Sequence, residues 1–515
     1  MTSIDRRSLL HAGLLAAGGA ALTACGGGSG SKNEFISPND ARVRTLEACR
    51  RTGAVRDFQL TATQGRLDLG GKTVSTWSYN GRLPGPEIRV TAGEVVRARL
   101  TNTTAQDTTV HWHGLALTNE ADGVPDVTQA AIKPGAAYTY EFAAAHPGTY
   151  WFHPHSGTQL DRGLYAPLIV EDPHEPLGYD AEWIVVLDDW LDGVTGTPDG
   201  VLAELRHGMG GMQSSGASPN SGMSGMSGMD MGGSPSPGTQ SHMLMGAQSD
   251  LLGGDAGDVR YPHFLINGRL PQAPATFTAK PGTRLRIRFI NAAADTAFRV
   301  ALGGHQMTVT HTDGYPVRHA QTEALLLGMG ERYDVLVTVK DGAFPLVAVA
   351  EGKDALARAV LRSSPGAATP GRAVQPKELS GRLVRYPDLS PADTVRLPAG
   401  KIDRTIRLEL TGDMMSYNWA INGTTYDPKK LYGLRSGERV RLSFVNRTTM
   451  WHPMHLHGHT FAVEASGLRK DTAIVLPKST LNVDFDADNP GRWMIHCHNV
   501  YHQETGMMTL LGYLR

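Results

Sequence analysis

The sequence predicts an all-β protein of three consecutive domains, and three observations carry this prediction. First, 515 residues are too many for one ordinary domain; at about 150 residues each, three domains are the natural expectation. Second, 60 glycines and 30 prolines supply the turns of a strand-rich chain. Third, runs that alternate apolar and polar residues, such as RVRLSFVN, recur between those turns, as in half-buried strands. The formal net charge of −1 gives no sign of a nucleic-acid partner.

Residues 1–24 are predicted to be an export signal. Arg6 and Arg7 form a twin-arginine pair ahead of a short apolar stretch, which indicates export by the Tat route to the periplasmic side of the cell envelope. The run LTAC at 22–25 resembles the lipobox of bacterial lipoproteins. We therefore expect a lipid anchor to the membrane on Cys25 and a flexible tether over residues 25–40. Ordinary cleavage near Ala24, without a lipid, is the alternative.

The first domain is predicted over residues 41–175 and contains two pairs of histidines. His111 and His113 lie in HWHG, and His153 and His155 lie in HPH. Residues two apart in a strand share a face, so each pair would present two imidazoles side by side. One such pair is weak evidence for a metal, but the chain repeats it.

The second domain, residues 176–370, has no complete set of metal ligands. Its isolated histidines His305, His311 and His319 are interpreted as structural, and its expected role is to space the first and third domains. An insert at 207–250 is rich in Gly, Ser and Met and is predicted to be disordered, because such residues cannot bury a core.

Methionines recur within this insert in the run GMSGMSGMDM. Apolar packing does not explain that spacing, whereas the thioether sulfur is a soft ligand that selects Cu(I). The insert is therefore predicted to collect cuprous ions, with a plain linker as the alternative. The four residues concerned are Met223, Met226, Met229 and Met231.

The third domain is predicted over residues 395–515, after a linker that includes SPGAATPGR at 364–372. In a strand, HCH directs His496 and His498 to one side and Cys497 to the other. Two His, one Cys and a weak axial Met form a blue-copper electron-transfer site. The candidates for that site are His452, Cys497, His502 and Met507.

The chain has four HxH pairs in all, and their eight imidazoles could hold three further copper ions. The pairs are His111/His113, His153/His155, His455/His457 and His496/His498. The remaining cysteine, Cys49, has no partner, so no structural disulfide is expected and Cys49 is interpreted as a small buried residue.

The runs HWHG, HPH, HPMHLHGH and HCHNVYHQETGM resemble the four copper-binding motifs of the multicopper oxidases, the family of laccases, ascorbate oxidase and the bacterial cuprous oxidases. GHQMTVTHTDGYPV and ERYDVLV resemble the family's second domain. The resemblance implies three cupredoxin-like Greek-key β-barrel domains, four copper ions and O2 as the electron acceptor. It assigns His111 and His455 to the type 2 copper, and His452, Cys497, His502 and Met507 to the type 1 copper. It assigns the type 3 pair to His113, His153, His155, His457, His496 and His498.

The resemblance also points to acids that could deliver protons for O2 reduction. Asp122, in ADG, lies where the family often has an acid near the copper cluster; a turn cap before Gly123 is the alternative. The family's cuprous oxidases have an acid directly after the position of His502, where this chain has Gln503, so Glu504 is the candidate relay.

The substrate site also departs from the family pattern. Several cuprous oxidases have an acid and a methionine just before the first type 1 histidine, and here the run is TTMWH. Met450 fits as a ligand for Cu(I), but Thr448 replaces the acid. Met414 and Met415 are further candidates, or else core residues.

The favoured function is therefore a cuprous oxidase for copper tolerance, which oxidises Cu(I) outside the cytoplasm and reduces O2 to water. A laccase-like oxidase of phenols, or a ferroxidase, is the alternative. A third hypothesis is a copper-sequestering binding protein without turnover. A two-domain nitrite reductase is disfavoured by the three-domain length, and a monomer is expected.

Overall fold

A computed structural model describes residues 34–207 and 241–515. Within the described residues the chain has three α-helices and 32 strands, so the predicted all-β class is confirmed. All these elements belong to one compact unit, Phe35–Arg515. The predicted signal, Cys25 and the methionines Met223, Met226, Met229 and Met231 lie outside the described residues. In the part of the chain that is described, no helix has the length and apolarity needed to cross a membrane.

The three helices are short and lie outside the sheets. They are α1 (Ala41–Arg50), α2 (Pro198–His207) and α3 (Val500–Thr505). The side chain of Asp40 caps α1 by accepting a hydrogen bond from the backbone N–H of Arg42. Cys49, on α1, is exposed, so its interpretation as a buried residue was wrong. The buried residues of this helix are Val43 and Glu47, and Cys49 is not among them.

The first segment of the chain forms two four-stranded sheets. One has the order β2-β1-β4-β6 and the other the order β3-β8-β7-β5. The strands are β1 (Val55–Asp68), β2 (Thr73–Tyr79), β3 (Ile88–Thr91), β4 (Val95–Asn102), β5 (His111–His113), β6 (Ala137–Ala143), β7 (Gly148–His153) and β8 (Ala166–Glu171).

The second segment forms a six-stranded sheet, a five-stranded sheet and a small hairpin. Their orders are β12-β9-β14-β19-β16-β17, β13-β21-β20-β15-β18 and β10-β11. The strands are β9 (Ala181–Trp190), β10 (Gln248–Ser249), β11 (Gly254–Asp255), β12 (His263–Ile266), β13 (Ala275–Thr278), β14 (Arg284–Asn291), β15 (Phe298–Leu302), β16 (Met307–Thr312), β17 (Tyr315–Thr322), β18 (Leu325–Leu327), β19 (Arg332–Thr338), β20 (Ala343–Ala350) and β21 (Ala355–Arg362).

The third segment again forms a six-stranded and a five-stranded sheet, β23-β22-β25-β30-β27-β28 and β24-β32-β31-β26-β29. The strands are β22 (Arg404–Thr411), β23 (Ala420–Ile421), β24 (Leu431–Leu434), β25 (Arg439–Asn446), β26 (His452–Leu456), β27 (Phe461–Val463), β28 (Arg469–Lys470), β29 (Thr472–Val475), β30 (Thr480–Asp486), β31 (Arg492–Cys497) and β32 (Met508–Tyr513).

The same sheet topology occurs three times along the chain. Each segment contains one parallel pair in each of its two main sheets, and these pairs join strands that are not consecutive. Alternation sets the buried face: in β22, Ile406, Leu408 and Leu410 are buried while Thr405 and Arg407 are exposed. One cluster of buried apolar side chains runs through all three segments. The two main sheets of each segment are together called a sandwich, the first, second and third in chain order. The three sandwiches share a continuous core within one compact unit.

The Met-rich insert is shorter than predicted at its second end. Met243 is buried and forms a β-bridge with Val259, and β10 begins at Gln248. The predicted insert boundary at residue 250 therefore lies too far along the chain. At the first end, α2 continues to His207.

Candidate metal centre

Strand β31 and the short helix after it place ligands in two separate clusters. Cys497 faces His452 and His502, whereas His496 and His498 on the opposite face join other histidines. Asn499 caps α3 by accepting hydrogen bonds from the backbone N–H groups of Tyr501 and His502, and this turn directs His502 back toward Cys497. The period-2 alternation of a strand thus separates two sites that are joined by adjacent residues.

The cysteine cluster brings together one sulfur and two ring nitrogens in a fully buried pocket. Cys497 Sγ lies 3.7 Å from His452 Nδ1 and 3.5 Å from His502 Nδ1, and the two Nδ1 atoms are 3.1 Å apart. Met507 is also buried, and its backbone C=O accepts a hydrogen bond from the Cys497 N–H at 3.0 Å. This is the donor set of a blue-copper site.

The other nitrogen of each histidine in this cluster has its own partner. His502 Nε2 donates to Asp258 Oδ2 at 2.8 Å, and Tyr417 Oη donates to the same oxygen at 2.7 Å. His452 Nε2 donates to Thr448 Oγ1 at 2.9 Å. These bonds hold each ring with Nδ1 directed inward, which is the arrangement typical of metal-binding histidines.

The eight histidines of the four HxH pairs form one buried cluster between the first and third sandwiches. It divides into groups whose ring nitrogens lie within 4.8 Å of one another. Three groups consist of histidines alone, and His113 belongs to two of them: His113 with His153 and His498, His155 with His457 and His496, and His111 with His455 and His113. All eight residues are buried. Strands β5 and β7 supply one side, and β26 and β31 supply the other.

The inward nitrogens of this cluster lack suitable hydrogen-bond partners within the protein. His113 Nδ1, His153 Nε2 and His498 Nε2 are buried without any partner. In the neighbouring groups, nitrogens of the same kind face each other, with His457 Nε2 and His496 Nε2 3.1 Å apart and His111 Nε2 and His455 Nε2 3.5 Å apart. Buried polar atoms are nearly always partnered, so these lone pairs fit metal ions.

The outward nitrogens of six of the eight rings have hydrogen-bond partners, and these bonds fix which nitrogen of each ring faces the centre. Both ring nitrogens of His498 are buried without a partner. His111 Nδ1 donates to the Asp122 C=O at 2.9 Å, and His496 Nδ1 donates to the Cys497 C=O at 3.0 Å. His113 is reversed: its Nε2 donates to Asp471 Oδ1 and Thr472 Oγ1, both at 3.1 Å, so its Nδ1 faces inward. The tautomer of each imidazole with an outer partner is thus set by that partner.

Electrostatics keep the cluster ready to bind cations. Burial lowers the pKa of His155 to about 3, and neighbouring imidazoles add to the effect. Burial first, and neighbouring histidines second, hold the pKa of His153, His457 and His496 well below the ordinary value. At neutral pH these rings are therefore uncharged, and their lone pairs are free for a metal.

The two candidate acids approach the histidine cluster differently: Asp122 contacts it directly, and Glu504 lines a cavity that reaches it. Asp122 is buried and its carboxylate oxygens lie 3.0 and 3.2 Å from His457 Nδ1. Its side chain therefore contacts the cluster. Glu504 lines a cavity of about 310 Å³ that also reaches His155, and burial raises the pKa of Glu504. Gln503 donates from Nε2 to Glu504 Oε1 at 2.9 Å.

The candidate methionines differ in exposure. Met450, expected as a Cu(I) ligand, is buried with 2% of its surface exposed. Met414 packs against the core, whereas Met415 is 51% exposed. Met245, which follows the Met-rich insert, is 54% exposed. The exposed methionines of this set are thus Met245 and Met415.

Sequence reasoning missed the residues that hold the ligands from outside. They have no motif of their own, because each lies far from its ligand in the chain. One of them, Arg332, lies in the strand-like run ERYDVLV. The signal that could have identified it is a charged residue within a strand that is otherwise buried. These residues are Asp258, Arg332, Tyr417, Asp471 and Thr472.

The isolated histidines of the second segment take no part in the ligand groups found among the described residues. His305 donates from Nδ1 to the Gly303 C=O and accepts from the Lys340 N–H at Nε2. His311 and His319 line a cavity of about 680 Å³ whose lining includes none of the clustered ligands.

Comparison with known proteins gives a consistent result over nearly the whole chain. Profiles described as multicopper oxidase match residues 61–175, 239–366 and 401–512. The chain is 46% identical to the multicopper oxidase MmcO of Mycobacterium tuberculosis, over 99% of this chain and 98% of the relative.

Two further similarities extend this comparison. The chain is 30% identical to a copper resistance protein A homolog of Pseudomonas syringae pv. tomato, over 88% of this chain and 91% of that relative. The crystal structure of a multi-copper oxidase from Pseudomonas thermotolerans superposes with a TM-score of 0.66 at 26% identity, over 90% of this chain and 100% of that one. The expected cupredoxin-like architecture is thereby confirmed.

Proposed function

The chain belongs to the multicopper oxidase family, and from this premise we propose that its physiological reductant is Cu(I). Members of the family are oxidoreductases that carry four copper ions and use O2 as the electron acceptor. When bound, the coppers supply one-electron oxidation of the reductant and four-electron reduction of O2 to water.

The ligand geometry supports assigning one copper to each group of inward-facing donors. His452, Cys497 and His502, with buried Met507, would hold the type 1 ion. His111 and His455 would hold the type 2 ion. The type 3 pair would be held by His113, His153 and His498 on one side and by His155, His457 and His496 on the other.

The observation that carries the cuprous proposal is the anchoring of the Met-rich insert beside His502. Before the insert, Arg206 of α2 donates to the Glu504 C=O at 2.5 Å. After it, Leu244 N–H donates to the Asp258 C=O at 2.8 Å, and the Asp258 carboxylate accepts from His502. Both attachments of the insert therefore lie at the cysteine cluster.

A clamp joins the two ends of the insert to each other. Glu204 of α2 accepts from the backbone N–H of His242 at 3.0 Å and lies 3.0 Å from His242 Nδ1. The Ser241 hydroxyl also donates to the Glu204 carboxylate. The chain thus leaves the fold before the insert and rejoins it after the insert at one place.

The described surface adds soft ligands and negative charge at the same place. Met245 follows Leu244, and Met415 lies two residues before Tyr417, which donates to Asp258. Half-exposed thioethers suit a cuprous ion in transit, and the carboxylates suit any cation. Burial raises the pKa of the nearby Asp255 to about 6, which still leaves a carboxylate at neutral pH.

The laccase-like alternative would need a phenol to approach the same ring. The Nε2 edge of His502 is instead covered by Asp258, which is fully buried. Asp258 thus occupies the position from which a phenol would have to approach His502. Oxidation of ferrous ions remains the second candidate, because the carboxylates at this edge accept hard cations as well.

The decisive experiment compares two reductants in two forms of the copper-loaded enzyme. Met223, Met226, Met229 and Met231 are replaced together by leucine, which keeps the insert's length and removes its sulfur. We expect kcat/KM for Cu(I) to fall about tenfold or more while phenol oxidation is unchanged. The control replaces Ser224 and Ser227 of the same insert by alanine and should leave both rates unchanged. Equal Cu(I) kinetics in the leucine variant would contradict the proposal.

We also propose that the mature chain is exported and anchored by a lipid on Cys25, which would keep Cu(I) oxidation outside the cytoplasm. The twin-arginine signal and the LTAC run support this location. In membrane fractionation, Cys25→Ala should release the protein into the soluble fraction. A variant that stays with the membrane would contradict the lipid anchor.

A further inference from the structure

The second sandwich reaches the histidine cluster through one arginine. Arg332, the first residue of β19, donates from its two terminal nitrogens to Asp471 Oδ1 at 2.7 Å and Oδ2 at 2.6 Å. Asp471 Oδ1 in turn accepts from His113 Nε2 at 3.1 Å. A chain of two hydrogen-bonded contacts thus joins a sandwich without copper ligands to an inward-facing imidazole of the first sandwich.

The geometry of this chain is more specific than a charge contact. A guanidinium fork that meets both carboxylate oxygens fixes the plane of the carboxylate as well as its position. Arg332 is itself held, because its Nε donates to the Thr149 C=O at 3.1 Å and one terminal nitrogen donates to the Gly330 C=O at 3.0 Å. Arg332 and Asp471 are fully buried.

Asp471 is fixed from its backbone side by the same sandwich. The N–H groups of Asp471 and Thr472 donate to Asp313 Oδ2 at 3.1 and 3.2 Å. Lys470 Nζ lies 3.0 Å from Asp313 Oδ2 and 3.0 Å from Glu331 Oε1. The segment that carries Asp471 is therefore clamped by side chains of the second sandwich at three successive residues.

The loop before Arg332 packs directly on the imidazoles. Gly330 has φ +84°, and a Cβ at this position would lie 2.9 Å from His498 Cδ2 and 3.0 Å from His113 Cε1. No other residue could bring the backbone this close to the two rings. The second sandwich thus forms a wall of the cluster as well as its outer support.

We propose that Arg332 is a positioning residue for the copper cluster: it orients Asp471, which holds His113 with Nε2 outward and Nδ1 inward. Without the fork, the carboxylate can rotate away from His113, and the ring keeps only the Thr472 hydroxyl as an outer partner, which holds its direction less firmly. The second sandwich then does more than space the other two, since the copper pair is completed only when it is docked. This role holds whichever reductant the enzyme uses.

The test uses Arg332→Lys, which keeps the charge and removes the two-oxygen fork. We expect the affinity of the histidine cluster for copper to fall about 10–100-fold, as for other residues that orient metal ligands. The blue absorption that arises from copper on Cys497 should remain, because that site lies outside the contact chain. Copper bound per chain, measured under competition with a chelator, and the paramagnetic resonance spectrum report the two sites separately.

Two further variants make the result decisive. Asp471→Asn should weaken the cluster in the same way, and the double variant should lose no more than Asp471→Asn alone, because both act through one contact. Arg286→Lys is the matched control: Arg286 is a buried arginine of the same sheet that pairs with Asp334 and contacts no ligand.

Three results would overturn the proposal. One is unchanged cluster copper in Arg332→Lys, and another is equal loss of cluster copper in Arg286→Lys. The third is a loss of the blue absorption in parallel with the cluster copper, which would indicate general unfolding. If Arg332→Lys does not fold, Asp471→Asn alone decides, since retention of all copper in that variant removes the contact through which Arg332 would act.

Discussion

At the scale of single residues, the site is organised by the hydrogen bonds behind each ligand. An imidazole can direct either nitrogen inward, and the outer partner decides which one. Backbone carbonyls perform this for His111 and His496, and side-chain oxygens perform it for His113 and His502. Because the outer bonds exist without a bound ion, the donor set is preorganised.

Glu504 is predicted to carry protons to the site of O2 reduction. Glu504→Gln keeps the size of the side chain and removes its proton, so reoxidation of the fully reduced enzyme by O2 should slow about 100-fold. Anaerobic reduction by Cu(I) should be unchanged, because it needs no proton. Stopped-flow absorbance measures the two half-reactions separately.

The control for this prediction is Asp107→Asn. Asp107 lines the same cavity but pairs with Lys133 near the surface, so both half-reactions should keep their rates. A Glu504→Gln enzyme that is reoxidised at the original rate would exclude Glu504 as the relay.

At the scale of elements, strand edges and tight turns deliver the ligands to their clusters. Gly123 has φ +79°, and a Cβ there would lie 1.7 Å from the C=O of Val110, the residue before β5. This close approach places Asp122 behind His457 and His111. The turn after β5 thus serves the metal centre by bringing two backbone segments together.

Gly123→Ala should therefore reduce both stability and copper content. The matched control is Gly71→Ala, because Gly71 also has a positive φ, +88°, but no atom within 4 Å of its Cβ position. The control should lose only the backbone term of about 1–3 kcal/mol in the free energy of unfolding and keep its copper. Gly123→Ala should lose more stability and part of its cluster copper, as measured by urea unfolding and metal analysis. Equal behaviour of the two variants would exclude the close approach as the cause.

At the scale of the whole molecule, buried ion pairs join the sandwiches around the centre. Asp334 of the second sandwich accepts from Thr149 of the first at 2.7 Å and pairs with Arg286 and Arg288. Burial alone would raise the pKa of Asp334, but the two arginines outweigh it and lower the pKa to about 2. The carboxylate is thus charged at every pH at which the enzyme would work.

Asp334→Asn should cost about 3–5 kcal/mol in the free energy of unfolding at pH 7, because two buried guanidinium groups lose their partner. Because folding lowers the pKa of Asp334, its charged carboxylate stabilises the fold at pH values above the pKa of the unfolded state, near 4. This stabilisation is lost as the pH falls through the folded-state pKa of about 2. The difference between wild type and variant should therefore narrow from pH 4 to pH 2 in urea titrations.

The control is Asp393→Asn, an exposed carboxylate beside Arg318 that should leave stability unchanged. A difference between wild type and Asp334→Asn that stays constant over this pH range would show that the charge of Asp334 is not the source of the stability.

The sequence by itself determined the fold class, the family and the set of candidate copper ligands. It could do so because strand alternation and ligand spacing are local: HCH separates Cys497 from its two neighbours wherever it forms a strand. Local signals were less reliable where burial depends on distant packing. Cys49, for example, was interpreted as a buried residue and is exposed.

Only the tertiary structure decided which groups form hydrogen bonds to the outer nitrogens of the ligand histidines and which groups orient those partners. Asp258 meets His502 and Arg332 meets Asp471 across separations of 244 and 139 residues. No pattern in the sequence marks such pairs, because they form when separate sandwiches dock and bury charges that must then find partners. The physical reason is the range of the interactions: periodicity acts between neighbours in the chain, whereas the orientation of an imidazole depends on whichever oxygen the fold brings to its outer nitrogen.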